Sequence, residues 1–164
     1  MLAQHQQCYL FRTDILPEIS NTGKIYRGRF AAINSNKMES LTPNIYVDSV
    51  SSTLKYYQKL GFETIVTVPD ADPEPVWAMV QNGPVNLMFE SFKSIEGRLP
   101  EISRQPGGSL LLYIKVKDIN ELFERLKDEV EILHGLTTTF YGATEFSIKD
   151  LNNYVITFAE NKTT

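Results

Sequence analysis

An α+β fold of two tandem βαβββ units, whose curved mixed sheets enclose a trough, is predicted by three observations. A strand runs into an Asp-marked helix start twice, roughly 70 residues apart, at Ile45-Tyr46-Val47-Asp48 and at Ile114-Lys115-Val116-Lys117-Asp118. Further strand-like segments follow each helix. The chain then closes on a hairpin, YGATEFSIKDLNNYVITFAE from Tyr141 to Glu160, with an oily and a polar face.

Residues 1–37 have no sustained apolar period and are broken by Pro17, Asn21-Thr22-Gly23 and Asn34-Ser35-Asn36. They are expected to form an irregular N-terminal extension, native or vector-derived, with Gln7 to Ile15 the one candidate ordered piece. Met38 directly precedes the first patterned segment, so the folded domain is expected over 38–164. Deleting residues 1–37 should leave solubility and melting temperature as they are in the full chain. An insoluble or early-melting truncation would contradict this boundary.

The first unit is expected over about 42–92 and the second over about 109–160. In the first, Asn44 to Val47 is a short strand. Asp48 or Ser49 then caps a helix with Val50, Leu54, Tyr57 and Leu60 on one stripe, and Gly61 ends it. Strands are expected at Phe62 to Val68, Val76 to Gln81 and, after the Asn82-Gly83 turn signal, Val85 to Phe92. A looser, Pro- and Gly-rich stretch separates the units. In the second, Leu110 to Lys117 is a strand, and Asp118 with Glu121 reads as a capping box for a helix burying Ile119, Leu122, Phe123, Leu126 and Val130. Val130 to His134 is the next strand. In the closing hairpin Phe146, Ile148, Ile156 and Phe158 share the oily face, while Val155, Thr157 and Ala159 face away. Asp150-Leu151-Asn152-Asn153 joins the arms, because Asn and Asp tolerate left-handed backbone and bond to their own turn.

The 164-residue chain is 42% hydrophobic and 22% charged, which suits one globular unit or two small lobes sharing a core, with no need of a disulfide or structural metal. Cys8 is its one cysteine, and a lone thiol fits a reducing cytoplasm. No apolar run approaches the roughly 18 residues that span a bilayer, so no membrane association is expected. The net charge is −4, but residues 1–37 hold five basic and two acidic residues, leaving eleven basic against eighteen acidic in the remainder. An acidic domain without a basic, aromatic-interleaved stripe makes nucleic acid an unsuitable partner and a cationic ligand a suitable one.

The chain resembles the vicinal oxygen chelate superfamily, which includes glyoxalase I, extradiol dioxygenases, fosfomycin-resistance and bleomycin-resistance proteins. The resemblance spans Leu41 to Glu160 and rests on TPNIYVDSVSSTLKYYQKLGFE, VNLMFESF and the closing hairpin, whose turn lacks the Pro and Gly usual in the family. Metal-dependent members carry His, Glu or Gln ligands on the first and last strands of each unit. Ungapped alignment places Thr42, Met88, Leu111 and Thr157 at those positions; sliding by two residues places Asn44, Glu90, Tyr113 and Ala159 there. Only Glu90 is an ordinary ligand, and the two histidines, His5 and His134, lie in the leader and at a strand end. No metal site, cofactor or catalytic residue is therefore assigned. Proton transfer by Glu90 or Glu145 stays conceivable.

Strand alternation assigns Asn44, Tyr46, Trp77, Met79, Met88, Glu90, Tyr113 and Thr157 to the trough. The resemblance adds Tyr141, standing where bleomycin-resistance proteins carry an aromatic beside their groove. Flat rings, flexible thioethers and a carboxylate suit a planar, partly cationic molecule. The reading is a metal-independent protein, resembling the bleomycin-resistance group, that sequesters such a drug or metabolite; the resemblance implies a homodimer. The alternatives are a metal-dependent lyase or dioxygenase of the same superfamily, and a scaffold acting only through protein contacts.

Overall fold

The computed structural model describes residues 38–161 except 100 and 104. The expectations for residues 1–37, including Cys8 and His5, lie outside the described residues. The chain divides between Glu39 and Ser40, and all the elements named below belong to the second part.

The first unit runs β1 (Asn44–Val47), α1 (Val50–Lys59), β2 (Glu63–Val68), β3 (Trp77–Asn82) and β4 (Val85–Ser91). The second repeats this order as β5 (Leu111–Lys115), α2 (Ile119–Leu126), β6 (Glu131–Thr138), β7 (Ala143–Lys149) and β8 (Val155–Asn161). Each unit makes one four-stranded sheet, ordered β1-β4-β3-β2 and β5-β8-β7-β6. In each, the first strand pairs parallel to the last and the other pairs are antiparallel. Each parallel pair requires a crossover, which α1 or α2 begins and which covers one face of its sheet. The sheets are not closed around a trough, and their helix-free faces are partly exposed.

The residues facing the helices form one shared core. Ile45, Val47, Leu87, Phe89, Phe146, Ile148, Ile156 and Phe158 are all buried there. Tyr57 sits at its centre, fully buried, with ring centroids 4.6 Å from Phe89 and 5.6 Å from Phe62. Ser49 caps α1, its hydroxyl accepting from the Ser52 amide at 3.2 Å, and Gly61 follows the helix at φ +89. Leu54 is only partly buried, because Thr53 takes the inner position and bonds the β7–β8 turn.

That turn joins the two units. The Asp150 carboxylate accepts from the amides of Asn152 and Tyr154, both at 2.8 Å, and from the Tyr57 hydroxyl at 3.0 Å. Asn152 donates to the Thr53 hydroxyl at 3.0 Å, and the Tyr154 hydroxyl donates to the Tyr46 carbonyl at 3.2 Å. Asn153 takes the left-handed conformation expected of it, at φ 62. Asp150 and Asn152 are buried, whereas the sequence offered them only as turn formers. Burial pushes the Asp150 carboxyl above its ordinary range, opposed by its hydrogen bonds from Tyr154, Tyr57 and Asn152.

The capping box expected for α2 does not form. Asp118 sits at the N-cap with φ 56, a left-handed conformation, and its side chain makes no cap bond. The Glu160 carboxylate, from the end of β8, accepts from the Asp118 amide at 2.8 Å and the Ile119 amide at 3.3 Å instead. A local motif has been replaced by a tertiary cap on the same unsatisfied donors. Glu160→Ala is accordingly expected to cost about 1 kcal/mol in denaturant unfolding. Asp118→Gly should be neutral or stabilising by up to about 1 kcal/mol, because glycine relieves the left-handed backbone; the capping-box reading predicts a loss instead.

Boundaries shift elsewhere. β6 continues to Thr138, four residues beyond the expected end, because pairing with β7 through Thr137↔Glu145 and Thr138↔Thr144 extends it past Gly135. Phe92 leaves β4 for a short 3-10 helix, Phe92–Ile95, capped by the Ser91 hydroxyl, which accepts from the Ser94 amide. Among the described residues no helix is long and apolar enough to cross a membrane.

Candidate ligand-binding faces

The helix-free face of the first sheet is built from alternate residues of three adjacent strands. Register places Asn44 beside Met88, Met88 beside Met79, Tyr46 beside Glu90, and Glu90 beside Trp77. Two neighbouring rows result, Asn44-Met88-Met79 and Tyr46-Glu90-Trp77, and all six side chains are half-buried. Six of the nine predicted residues thus share one patch. Val66 and Val68 of β2 extend the rows; both are exposed hydrophobics.

Glu90 is held rather than mobile. Its Oε2 accepts from Asn44 Nδ2 at 2.9 Å and its Oε1 from the Ser94 hydroxyl at 2.9 Å. The Arg98 guanidinium reaches Oε1 at 3.4 Å from a largely exposed position. Donating to Glu90 fixes the Asn44 amide and turns its Oδ1 inward, where it is buried without a hydrogen-bond partner among the described residues. Phe92 stacks on Tyr46 at a centroid distance of 6.4 Å and closes one end of the patch.

On the second sheet the helix-free face carries Tyr113, Thr157, Ser147 and His134 across one register row. Thr157 faces away from the oily side as predicted, yet it is buried and hydrogen-bonded to the Ser147 hydroxyl at 2.9 Å. The short threonine side chain lies between Tyr113 and Ser147 in the register, and these neighbours bury it although it faces away from the helix. Ala159, smaller still, lies between Lys115 and Glu145 and is buried too. Tyr113 and Tyr141 both donate to Glu145 Oε1, Tyr141 at 2.6 Å. These bonds to a carboxylate are the leading cause that holds both phenols above their ordinary pKa, so they stay protonated donors. Phe140 lies edge-on to Tyr141 at 4.9 Å and is almost wholly exposed.

Tyr113, Thr157 and Tyr141 therefore belong to a second sheet face, separate from the six residues of the first. Glu145 was absent from the expected ligand-contacting set, although strand alternation places it on this face. Phe92, Ser94 and Arg98 were missed because no period marks a short 3-10 turn.

Two tandem βαβββ units, joined through their helices and each leaving an aromatic-bearing sheet face open, define the class of protein. The chain belongs to the Glyoxalase/Bleomycin resistance protein/Dioxygenase superfamily, whose family model matches residues 38–158. No curated protein sequence matches it.

Solved structures share the fold. A glyoxalase/bleomycin resistance protein/dioxygenase from Nocardioides is 14% identical, with 82% of this chain and 92% of that one covered and a TM-score of 0.65. A bleomycin-binding protein complexed with bleomycin is 20% identical, with 76% and 100% covered and a TM-score of 0.53. A bleomycin resistance determinant encoded on the transposon Tn5 is 21% identical, with 77% and 100% covered and a TM-score of 0.56. At these identities the likeness is one of fold.

The donor set does not fit the divalent metal used by metal-dependent relatives. The inward positions of β1, β4, β5 and β8 offer amides, a thioether, phenols, a hydroxyl and one carboxylate, and Glu90 is already engaged by Asn44 and Ser94. Among the described residues no three His, Cys, Asp or Glu side chains gather as a metal site would require.

Proposed function

We propose that this protein is a metal-independent binder of a planar, cationic small molecule, held on the helix-free face of the first sheet and enclosed by the second-sheet face of another copy. The observation that carries this reading is the patch in which Trp77, Met79, Met88 and Tyr46 surround a carboxylate kept in place by Asn44 and Ser94. An aromatic plane supplies stacking and cation–π attraction, methionines adapt to the outline of the ligand, and Glu90 answers its charge. No bond is made or broken, so the protein sequesters rather than transforms.

The reading requires a homodimer. The patch on each sheet is open in one chain, and a planar ligand of drug size needs burial on both faces. Tyr113, Tyr141 and Glu145 are the residues a partner would bring over the first patch. The neighbour complexed with bleomycin supports a small molecule as the ligand. A reducing cytoplasm is the proposed setting, in keeping with the single cysteine.

Trp77 is the chain's one tryptophan, so its fluorescence reports directly on the patch. Titration with bleomycin and with planar cations such as ethidium is expected to quench it saturably and to raise the melting temperature. A flat response across the whole panel would sink the proposal. Because Arg98 already faces Glu90, Arg98→Ala is expected to tighten cation binding about threefold. Neutral aromatics should be unaffected.

A further inference from the structure

Among the described residues the two units meet at two joints, one bridged by hydrogen bonds and the other left open as a cleft. The sheets have the same strand order, so aligning the helix starts, Ser49 on Asp118, matches Thr53 with Leu122, Tyr56 with Arg125 and Tyr57 with Leu126. At the bridged joint, Thr53, Tyr56 and Tyr57 of α1 bond Asn152, the Lys149 carbonyl and Asp150 at the β7–β8 turn. That turn has five residues between its strands, Asp150 to Tyr154. At the other joint the β3–β4 turn has two, Gly83 and Pro84. The shorter turn leaves a cleft of about 780 Å³ beside α2, and Leu122 and Arg125 line it.

The cleft has two chemical parts. Its wall includes Val85, Ile114, Val116 and Leu122, which pack on the core but stay half-buried. Its rim carries Lys115, Lys117 and Arg125 against Asp118, Glu121 and Glu160. The rim is balanced in formal charge, three groups of each sign, but Glu160 is turned to the first amides of α2, and Arg125 is the cationic group on α2 beside the apolar wall. Arg125 is anchored by one Nη1 bond to the Lys59 carbonyl at 2.6 Å. A guanidinium has five N–H donors in a fork that suits a carboxylate, so this anchor orients it and leaves donors over. Nothing in the proposed cation-binding patch takes part.

We infer that this cleft is a second ligand site, taking an amphipathic carboxylate of medium chain length. Its apolar tail lies along Val85, Ile114 and Leu122, and its carboxylate meets Arg125. The volume falls in the range of small-molecule sites, roughly 300–1,000 Å³.

Octanoate titrated into the full chain, read by calorimetry and by thermal melting, tests this. Saturable binding is expected, with butanoate, which lacks the tail, and octanol, which lacks the charge, each at least about fivefold weaker. Arg125→Gln should weaken octanoate about tenfold and leave octanol unchanged, since only a charge-assisted pair is lost. Leu122→Trp should abolish binding by filling the cleft. If that variant does not fold, the exposed Arg125→Gln variant decides alone. Absence of saturable octanoate binding, equal affinity for octanol, or undiminished affinity in Arg125→Gln would each overturn the inference.

Discussion

Tyr57→Ala is expected to cost about 4–5 kcal/mol of unfolding free energy, a large part of what a domain of this size possesses. The ring is fully buried against Phe62 and Phe89, and its hydroxyl reaches across to the other unit. Truncation would leave a large cavity and strip Asp150 of a donor. Tyr57→Phe keeps the ring and should cost only about 1–2 kcal/mol. Urea unfolding of both variants measures the difference. Near-equal losses would mean that the hydroxyl bridge, rather than aromatic packing, dominates the joint.

The same joint carries a pH signature. Burial is the main cause that raises the folded pKa of Asp150 above its ordinary value. A raised carboxyl pKa means that the folded state binds the proton more tightly than the unfolded chain does. Its stabilising contribution is therefore complete below the unfolded pKa and is lost as pH rises through the folded one. Asp150→Asn removes this titration while keeping an acceptor for the turn amides. Wild type minus Asp150→Asn stability should grow as pH is lowered from 7 towards 4. A difference that shrinks over that interval would show that the hydrogen bonds to the ionised form outweigh its desolvation.

Trp77→Ala is the second large effect, expected to weaken binding of a planar cation about 30-fold, or about 2 kcal/mol, the scale of a buried aromatic hot spot. Glu90→Gln should weaken a cation about tenfold and leave a neutral aromatic untouched. Since Trp77 is itself the fluorophore, calorimetry reads these variants. The reverse ranking, with Glu90 dominant and Trp77 neutral, would make the patch an ion site rather than a stacking platform.

Much of this architecture was legible because it is written in local periods. Ile45 and Val47 alternate with Asn44 and Tyr46, and Phe146 and Ile148 with Glu145 and Ser147, so the two faces of each sheet could be told apart. The duplication followed from one strand-into-helix pattern occurring twice. What escaped was non-local. Glu160 caps a helix more than forty residues away in sequence, a substitution that no window around Asp118 reveals. Asp150 and Asn152 have turn chemistry, and only the packing of α1 against them makes them buried. Thr157 was assigned to an accessible face by alternation, and its neighbours on both sides bury it. The 3-10 turn that brings Ser94 to Glu90 has no periodic signal to read.

The account rests most directly on recognition by stacking and charge with no metal between protein and ligand. Ethidium binding to the full chain, measured by calorimetry before and after exhaustive treatment with a chelator, tests that claim. Equal affinity in the two samples, with both weakened by Glu90→Gln, is the predicted result. Binding that disappears on chelation and returns with a divalent cation would contradict it.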